Sequence, residues 1–139
     1  MGDCAYSSAG QVELGTGSER FEPLKPLASL ALHPGFQGGY HAYGSLRLPL
    51  ESAGPAKIAF NLCQNDQIVA ISRINDDLVT HGDHAEYIGS LIILPNTIIP
   101  AAIADKEAYL VVAVEDARGD RHVESVKVIP RCCGSIEIQ

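Results

Sequence analysis

The densest group of side chains that could do chemistry lies in one short polar stretch of the 139-residue chain. Two histidines and two carboxylates fall within six residues there: His81, Asp83, His84 and Glu86. Imidazole nitrogens combined with carboxylate oxygens suit Zn²⁺ or Cu²⁺, and the net charge of −7 would attract a cation. These four residues are the predicted metal ligands, and apart from Zn or Cu no cofactor is expected.

The same stretch has a simpler interpretation as a solvated loop. Residues 75–84 are the most polar segment of the chain, and they lead into an apolar strand that begins at Glu86. His81 and His84 form a His-x-x-His pair, but in a loop that pair lacks the helical geometry of the metalloprotease motif. The loop interpretation is favoured, and metal binding is kept as the alternative.

Nucleophilic catalysis has no support in the sequence. The chain contains no Gly-x-Ser-x-Gly elbow. Cys63 falls within a predicted strand, and the sequence places no histidine beside it. We therefore expect that the protein is not an enzyme, and we assign no catalytic residue.

The four cysteines could form two disulfides, one disulfide or none: Cys4, Cys63, Cys132 and Cys133. A bridge from Cys4 to Cys132 or Cys133 would close a loop that spans nearly the whole chain. A zinc site is the alternative, but it normally needs Cys-x-x-Cys pairs, and two adjacent cysteines are poorly spaced for chelation. Disulfides are favoured, which predicts an oxidising compartment.

The element that organises the chain is a long alternating strand after a glycine-rich turn. Its predicted core face carries Tyr40, Ala42, Gly44, Leu46 and Leu48. Its other face carries His41, Tyr43, Ser45 and Arg47. That second face could bind a carbohydrate, an anion or a peptide, but a structural role is favoured.

Short apolar runs of the same kind recur along the chain, separated by turn signals. Further strands are predicted at residues 11–14, 27–32, 57–64, 67–74, 86–94, 107–115, 121–129 and 135–138. One helical turn is expected within residues 101–106, and Arg118-Gly119-Asp120 is expected in a hairpin turn. The prediction is an all-β fold, an immunoglobulin-like antiparallel β-sandwich of seven to nine strands. It forms one domain over residues 1–139, with a flexible N-terminal segment at 1–9.

Charge and hydropathy limit the possible partners. The ten basic residues are scattered, so nucleic acid is not an expected partner. No apolar run approaches the ~20 residues of a membrane span, and no signal peptide is recognised, so membrane contact is expected only through a missing anchor. A protein partner or a homodimer is expected, with exposed edge strands as the contact surface.

Three short motifs resemble one group of proteins. They are Val12-Glu13-Leu14-Gly15-Thr16-Gly17, Phe21-Glu22-Pro23-Leu24 and Gly35-Phe36-Gln37-Gly38-Gly39-Tyr40-His41. They resemble a pattern in uncharacterised exported bacterial proteins, which are similar to lipoproteins with an immunoglobulin-like sandwich after a processed leader. The resemblance covers mainly residues 12–48, with the Cys132-Cys133 pair as a weaker match. It implies an extracytoplasmic location, periplasmic or on the outer surface, and no particular activity.

The sequence therefore predicts a kind of molecule more clearly than a function. The function expected is that of a non-enzymatic extracytoplasmic binding or interaction module. The alternative is a Zn- or Cu-binding protein that uses the His81–Glu86 loop.

Overall fold

A computed structural model of the protein describes residue 4, residues 6–35 and residues 38–133. In that part of the chain there are nine strands and one short helix. The strands are β1 (Glu13–Thr16), β2 (Glu22–Pro23), β3 (Ala28–Pro34), β4 (Tyr40–Pro49), β5 (Gly54–Gln64), β6 (Gln67–His81), β7 (His84–Leu94), β8 (Ala108–Glu115) and β9 (Arg121–Cys132). The helix, α1, spans Pro100–Ile103, and a 3₁₀ turn spans Leu50–Ser52.

All nine strands belong to one sheet that closes on itself. Its order is β2-β1-β4-β3-β9-β8-β5-β6-β7, and β4 pairs with β7 as well. Strands β3 to β9 thus form a seven-strand ring, and the hairpin of β1 and β2 extends from one edge of β4. The all-β prediction is confirmed. A closed ring is not clearly an immunoglobulin-like sandwich, because that architecture has two separate sheets.

The sheet departs at one place from the antiparallel arrangement predicted for the sandwich. β3 runs parallel to β9, from the pair Ala28↔Val128 to the pair Leu32↔Cys132. The cause is topological: neighbouring strands cannot alternate in direction all the way round a ring with an odd number of strands. A seven-strand ring needs at least one parallel pair, and β3 supplies it.

Period-two alternation fills the interior of the ring with apolar side chains. Fully buried side chains come from most of its strands, among them Phe60, Leu62, Ile92, Leu110 and Val112. Ala42, Leu46 and Leu48 of β4 are buried as the alternation predicted. Gly44 is also needed there, because a Cβ at that position would come within 2.7 Å of the Phe60 ring.

The opposite face of β4 is buried too, in agreement with the structural role that the sequence favoured for it. The exposed fractions of His41, Tyr43 and Ser45 are 8%, 9% and 0%. The N-terminal hairpin lies against this face, where Thr16 Oγ1 donates to the Tyr43 carbonyl at 2.7 Å and Ser45 Oγ donates to the Gly17 carbonyl at 3.1 Å. The side chains on this face of β4 are therefore packed inside the protein rather than exposed to a ligand.

The described part of residues 1–9 is tied to the ring rather than free of it. Cys4 forms a disulfide with Cys63, and the backbone of Ala9 pairs with that of Val123. The sequence left the pairing of the four cysteines open, and the structure bonds Cys132 and Cys133 to each other rather than to Cys4. Cys4 is thus fixed to β5, and Ala9 is paired with β9.

The polar segment at residues 75–84 is mostly strand, not loop. β6 continues to His81, and only Gly82 and Asp83 form the turn to β7. The segment is polar because its side chains face solvent while its backbone pairs with β5, from Gly54↔Leu78 to Ile58↔Ile74. The strand predicted at residues 135–138 lies outside the described residues, as does Gln37 of the glycine-rich turn.

Candidate binding cleft at the seam between β6 and β7

A seam lies between β6 and β7, two neighbouring strands of the ring that separate along part of their length. β6 pairs with β7 at Ile71↔Ile93 and again from Val79↔Glu86 onward, but no pairs join them between these points. Over residues 72–78, β6 keeps its ladder with β5 alone. The seam therefore leaves one edge of a seven-residue strand segment without a backbone partner from β7.

Side chains bridge the seam in place of backbone. The Ser72 and Ser90 hydroxyls are hydrogen-bonded at 2.6 Å, and Tyr87 Oη donates to Asp76 Oδ2 at 3.4 Å. Burial raises the pKa of Tyr87 above its usual value of 10.0, and the negative charge of Asp76 raises it further. The phenol thus stays protonated and acts as a donor across the seam.

The direction in which the backbone N–H groups of β6 point can be derived from one of its partners on β5, Pro55. Asp77 lies opposite Pro55, which has no N–H to give. This pair cannot exchange both ladder bonds, so the Asp77 N–H points away from β5 and toward the seam. Its acceptor is the neighbouring Asp76 Oδ1 at 2.8 Å. By alternation, the N–H groups of Arg73 and Asn75 point the same way.

A cleft of about 720 Å³ lies over one end of the seam. Its floor is an ion pair between Arg47 of β4 and Glu86 of β7, with 2.6 Å between Nε and Oε2. The Arg47 guanidinium also lies 4.4 Å from the centre of the Phe21 ring, which comes from the N-terminal hairpin. Glu86 is buried and Arg47 is partly buried, and the pair holds three elements together beneath the cleft.

Exposed apolar side chains flank the seam at both ends. Ile71 and Ile93 form a cross-strand pair and Leu91 follows on the same face, with exposed fractions of 45%, 54% and 46%. At the other end Val79 is 63% exposed. A backbone edge with apolar side chains on either side is a surface suited to an extended peptide.

The rim of the cleft carries more acid than base. Three acidic residues, Glu19, Asp76 and Asp77, line it together with one basic residue, Arg20. The charges of Arg47 and Glu86 neutralise each other in their ion pair. This balance favours a ligand with a basic group near the middle of the seam.

The structure does not bring the four predicted metal ligands together. His81 and His84 face each other across the hairpin, and Asp83 lies in the turn between them. Glu86 is buried and engaged by Arg47. Within the described ranges, no group of three or more His, Cys, Asp or Glu side chains is arranged to hold a metal ion.

A second polar cluster lies at the end of the ring and was not found from the sequence. Asp116 Oδ2 accepts hydrogen bonds from Ser52 Oγ at 3.0 Å and from His122 Nε2 at 2.9 Å. The other imidazole nitrogen, Nδ1, accepts from the Gln11 N–H at 3.1 Å. Only the cross-strand pair Val114↔His122, which puts His122 inside, could have indicated it, and that pair depends on the register.

The three residue types match a catalytic triad, but their connections do not. Ser52 bonds to Asp116 rather than to His122, so no base is placed to activate the hydroxyl. Although desolvation raises the pKa of Asp116, hydrogen bonds from His122, from Ser52 and from two backbone N–H groups lower it to about 2. The cluster is a clamp that joins the N-terminal segment to the turn after β8.

The hairpin turn behind this clamp has the role expected for it. The Asp116 Oδ1 accepts the N–H groups of Arg118 and Asp120, and the Arg118 guanidinium lies 3.1 Å from the Asp120 carboxylate. The Arg118 and Asp120 side chains are therefore paired with each other across the turn.

A compact cluster of three rings lies where β3 pairs with β4. It consists of His33, His41 and Tyr43. Their ring centres are 5.0 to 5.8 Å apart, and His33 and His41 are cross-strand partners. The sequence placed His41 and Tyr43 on one face, but His33 joins them only through the pairing of β3 with β4.

No protein-family model and no curated protein matched the chain when it was compared with them. The described residues form no apolar helix of membrane-spanning length.

Proposed function

We propose that the protein is a non-enzymatic binding module outside the cytoplasm, and that it takes up an extended segment of a partner protein along the β6 edge of the seam. The observation that carries the proposal is the interruption of the β6–β7 ladder over residues 72–78. An unpaired strand edge offers N–H and C=O groups in the spacing that another strand needs.

The backbone of β6 supplies the main-chain contacts. The N–H groups of Arg73, Asn75 and Asp77 face the seam, since Pro55 sets the direction for this alternation. A segment of seven residues is about 24 Å long at the rise of an antiparallel strand. This length suits a short linear stretch of a partner.

The flanking side chains supply selectivity. The partner's apolar side chains would pack on Ile71, Leu91 and Ile93 at one end and on Val79 at the other. A basic side chain near the middle would face Asp76 and the rest of the acidic rim. The partner is thus an extended segment with a basic centre and apolar ends.

The location outside the cytoplasm rests on the cysteines. The disulfide between Cys4 and Cys63 is typical of an oxidising compartment. It supports an extracytoplasmic protein, which is the location that the resemblance to exported bacterial proteins implies. Membership of that group is part of the proposal. No observation on the described residues favours the metal-binding alternative.

The test removes one backbone donor from the seam edge. Asn75→Pro deletes an N–H that faces the seam and leaves the ladder with β5 intact, whereas Asn75→Thr keeps the N–H and serves as the matched control. Peptides selected from a phage-displayed random library against the wild-type protein should bind Asn75→Thr as well. They should lose at least tenfold in affinity, about 1.4 kcal/mol, on Asn75→Pro.

Hydrogen exchange gives a second readout. Peptide binding should slow amide exchange within residues 73–77 more than anywhere else in the ring. A concentration-dependent dimer that Asn75→Pro abolishes would identify a second copy of the chain as the partner. Selected peptides that bind Asn75→Pro as tightly as the wild type would contradict the proposal.

A further inference from the structure

A basic depression lies on the outer face of the ring, next to the seam. The two features share Arg73 and Asn75, but the seam uses the backbone N–H groups of these residues and the depression uses their side chains. Two rows of cross-strand partners build it across β6, β5, β8 and β9. The rows are Asn75–Lys57–Glu115–Arg121 and Arg73–Ala59–Ala113–Val123. Because direct partners share a face, the side chains of each row stand side by side on the outside.

Small side chains form the floor of the depression, and long basic ones form its wall. Ala59 and Ala113 are direct partners in the middle, and the space above them is about 320 Å³. Lys57, Arg73 and Arg121 stand around it. A volume of this size admits one small group rather than an extended chain.

The charge of the depression is opposite to that of the protein. Three cationic side chains face one carboxylate, that of Glu115, so the local balance is +2 in a chain with a net charge of −7. The Lys57 ammonium lies 3.8 Å from the Glu115 carboxylate, and both side chains are mostly exposed. An exposed pair at that distance holds Lys57 only weakly, so its ammonium can turn to a ligand.

Arg73 is held in place before any ligand arrives. Its Nη1 donates to the carbonyl oxygens of Phe60 at 3.2 Å and of Ser72 at 2.9 Å. Both hydrogen bonds use Nη1, so the N–H groups of Nε and Nη2 can still donate to another acceptor. A guanidinium fixed in this way presents a planar fork without first losing its side-chain freedom.

We propose that this depression binds a doubly negative tetrahedral oxyanion, a phosphate or sulfate group. Arg73 would donate to two of its oxygens, and Lys57 and Arg121 would balance the charge from either side. A dianion matches the local charge of +2, whereas a single carboxylate would leave one cation uncompensated.

The test is a titration of the isotope-labelled protein with sodium sulfate and then with sodium phosphate, followed by NMR at constant ionic strength. Amide shifts should change at residues 57–59, 73–75, 113–115 and 121. Arg73→Gln should weaken binding about tenfold, or ~1.4 kcal/mol, and Lys57→Gln should weaken it less. Arg131→Gln, which removes an exposed arginine at the far end of β9, is the matched control and should bind as the wild type does.

A second arm identifies the source of the group. Vesicles of phosphatidylglycerol, with phosphatidylcholine vesicles as the reference, would bind the wild type but not Arg73→Gln if a lipid headgroup is the source. Binding of the free ions without vesicle binding would support a soluble phosphate or sulfate group. The proposal is overturned if neither ion shifts these residues, or if Arg131→Gln loses as much affinity as a folded Arg73→Gln or Lys57→Gln.

Discussion

The disulfide between Cys4 and Cys63 should supply a large part of the stability of this protein. It closes a loop with a sequence separation of 59 residues. The loop-closure model of the unfolded chain gives about 4 kcal/mol for a loop of that length. A domain of this size is typically stable by only about 5–15 kcal/mol, so the loss of the bridge should be easy to measure.

The perturbation is the double variant Cys4→Ser/Cys63→Ala, made in a Cys132→Ser/Cys133→Ser background. Alanine is chosen at position 63 because that side chain is buried and a serine hydroxyl there would add a cost of its own. We expect a loss of about 2–4 kcal/mol, since structure in the unfolded state reduces the ideal value. The midpoint of thermal unfolding should fall by roughly 7–14 °C.

The assay is urea unfolding followed by circular dichroism, with the background variant measured before and after reduction. Removing the adjacent pair alone should change the stability little, because Cys132 and Cys133 are one residue apart and close no loop between distant segments. A difference below about 1 kcal/mol between the bridged and unbridged proteins would refute the reasoning. Peptide mapping that joins Cys4 to Cys132 or Cys133 would do the same.

Two further predictions concern the end of the ring and its core. The pKa of Asp116 is lowered from 3.8 to about 2, so its carboxylate contributes stability that is present above pH ~4 and is lost as the pH falls through ~2. In a series of urea unfolding midpoints measured at different pH values, Asp116→Asn should therefore reduce the loss of stability at acid pH. An unchanged loss in the variant would contradict the role of Asp116 as a clamp. Gly44→Ala should lower the free energy of unfolding by about 1–3 kcal/mol through overpacking, because the new Cβ would lie 2.7 Å from Phe60 and 2.8 Å from Ile92. An unchanged urea midpoint would contradict this prediction and show that the core has room for a methyl group.

Local pattern was enough to find most of the strands. The alternation in β4 correctly assigned Ala42, Leu46 and Leu48 to the core, since the side-chain period of a strand is a property of the backbone itself. The strands predicted at 57–64 and 67–74 leave Asn65 and Asp66 between them, and both of these residues have positive φ in the turn from β5 to β6. The polar end of β6 was missed because a strand that faces solvent has no apolar alternation to reveal it.

The candidate site could be found only after the strands were paired. Nothing in residues 72–78 distinguishes a strand edge that β7 covers from one that it leaves open. The ion pair of Arg47 and Glu86 joins residues 39 apart in the sequence, and the basic depression needs four strands in register. Residue types alone therefore pointed to His81–Glu86, where several chemical groups are close in sequence but not arranged around a common ligand.

The sequence by itself determined the class of the protein: all-β, acidic and rich enough in cysteine to form a disulfide. Tertiary structure alone decided that the sheet closes, that β3 runs parallel to β9, that Cys4 bonds Cys63, and that a seam stays open between β6 and β7. The physical reason is that alternation depends on neighbouring residues, whereas closure and register depend on which distant strands pack best together. Seven strands round one core force one parallel pair, and no single strand carries that information.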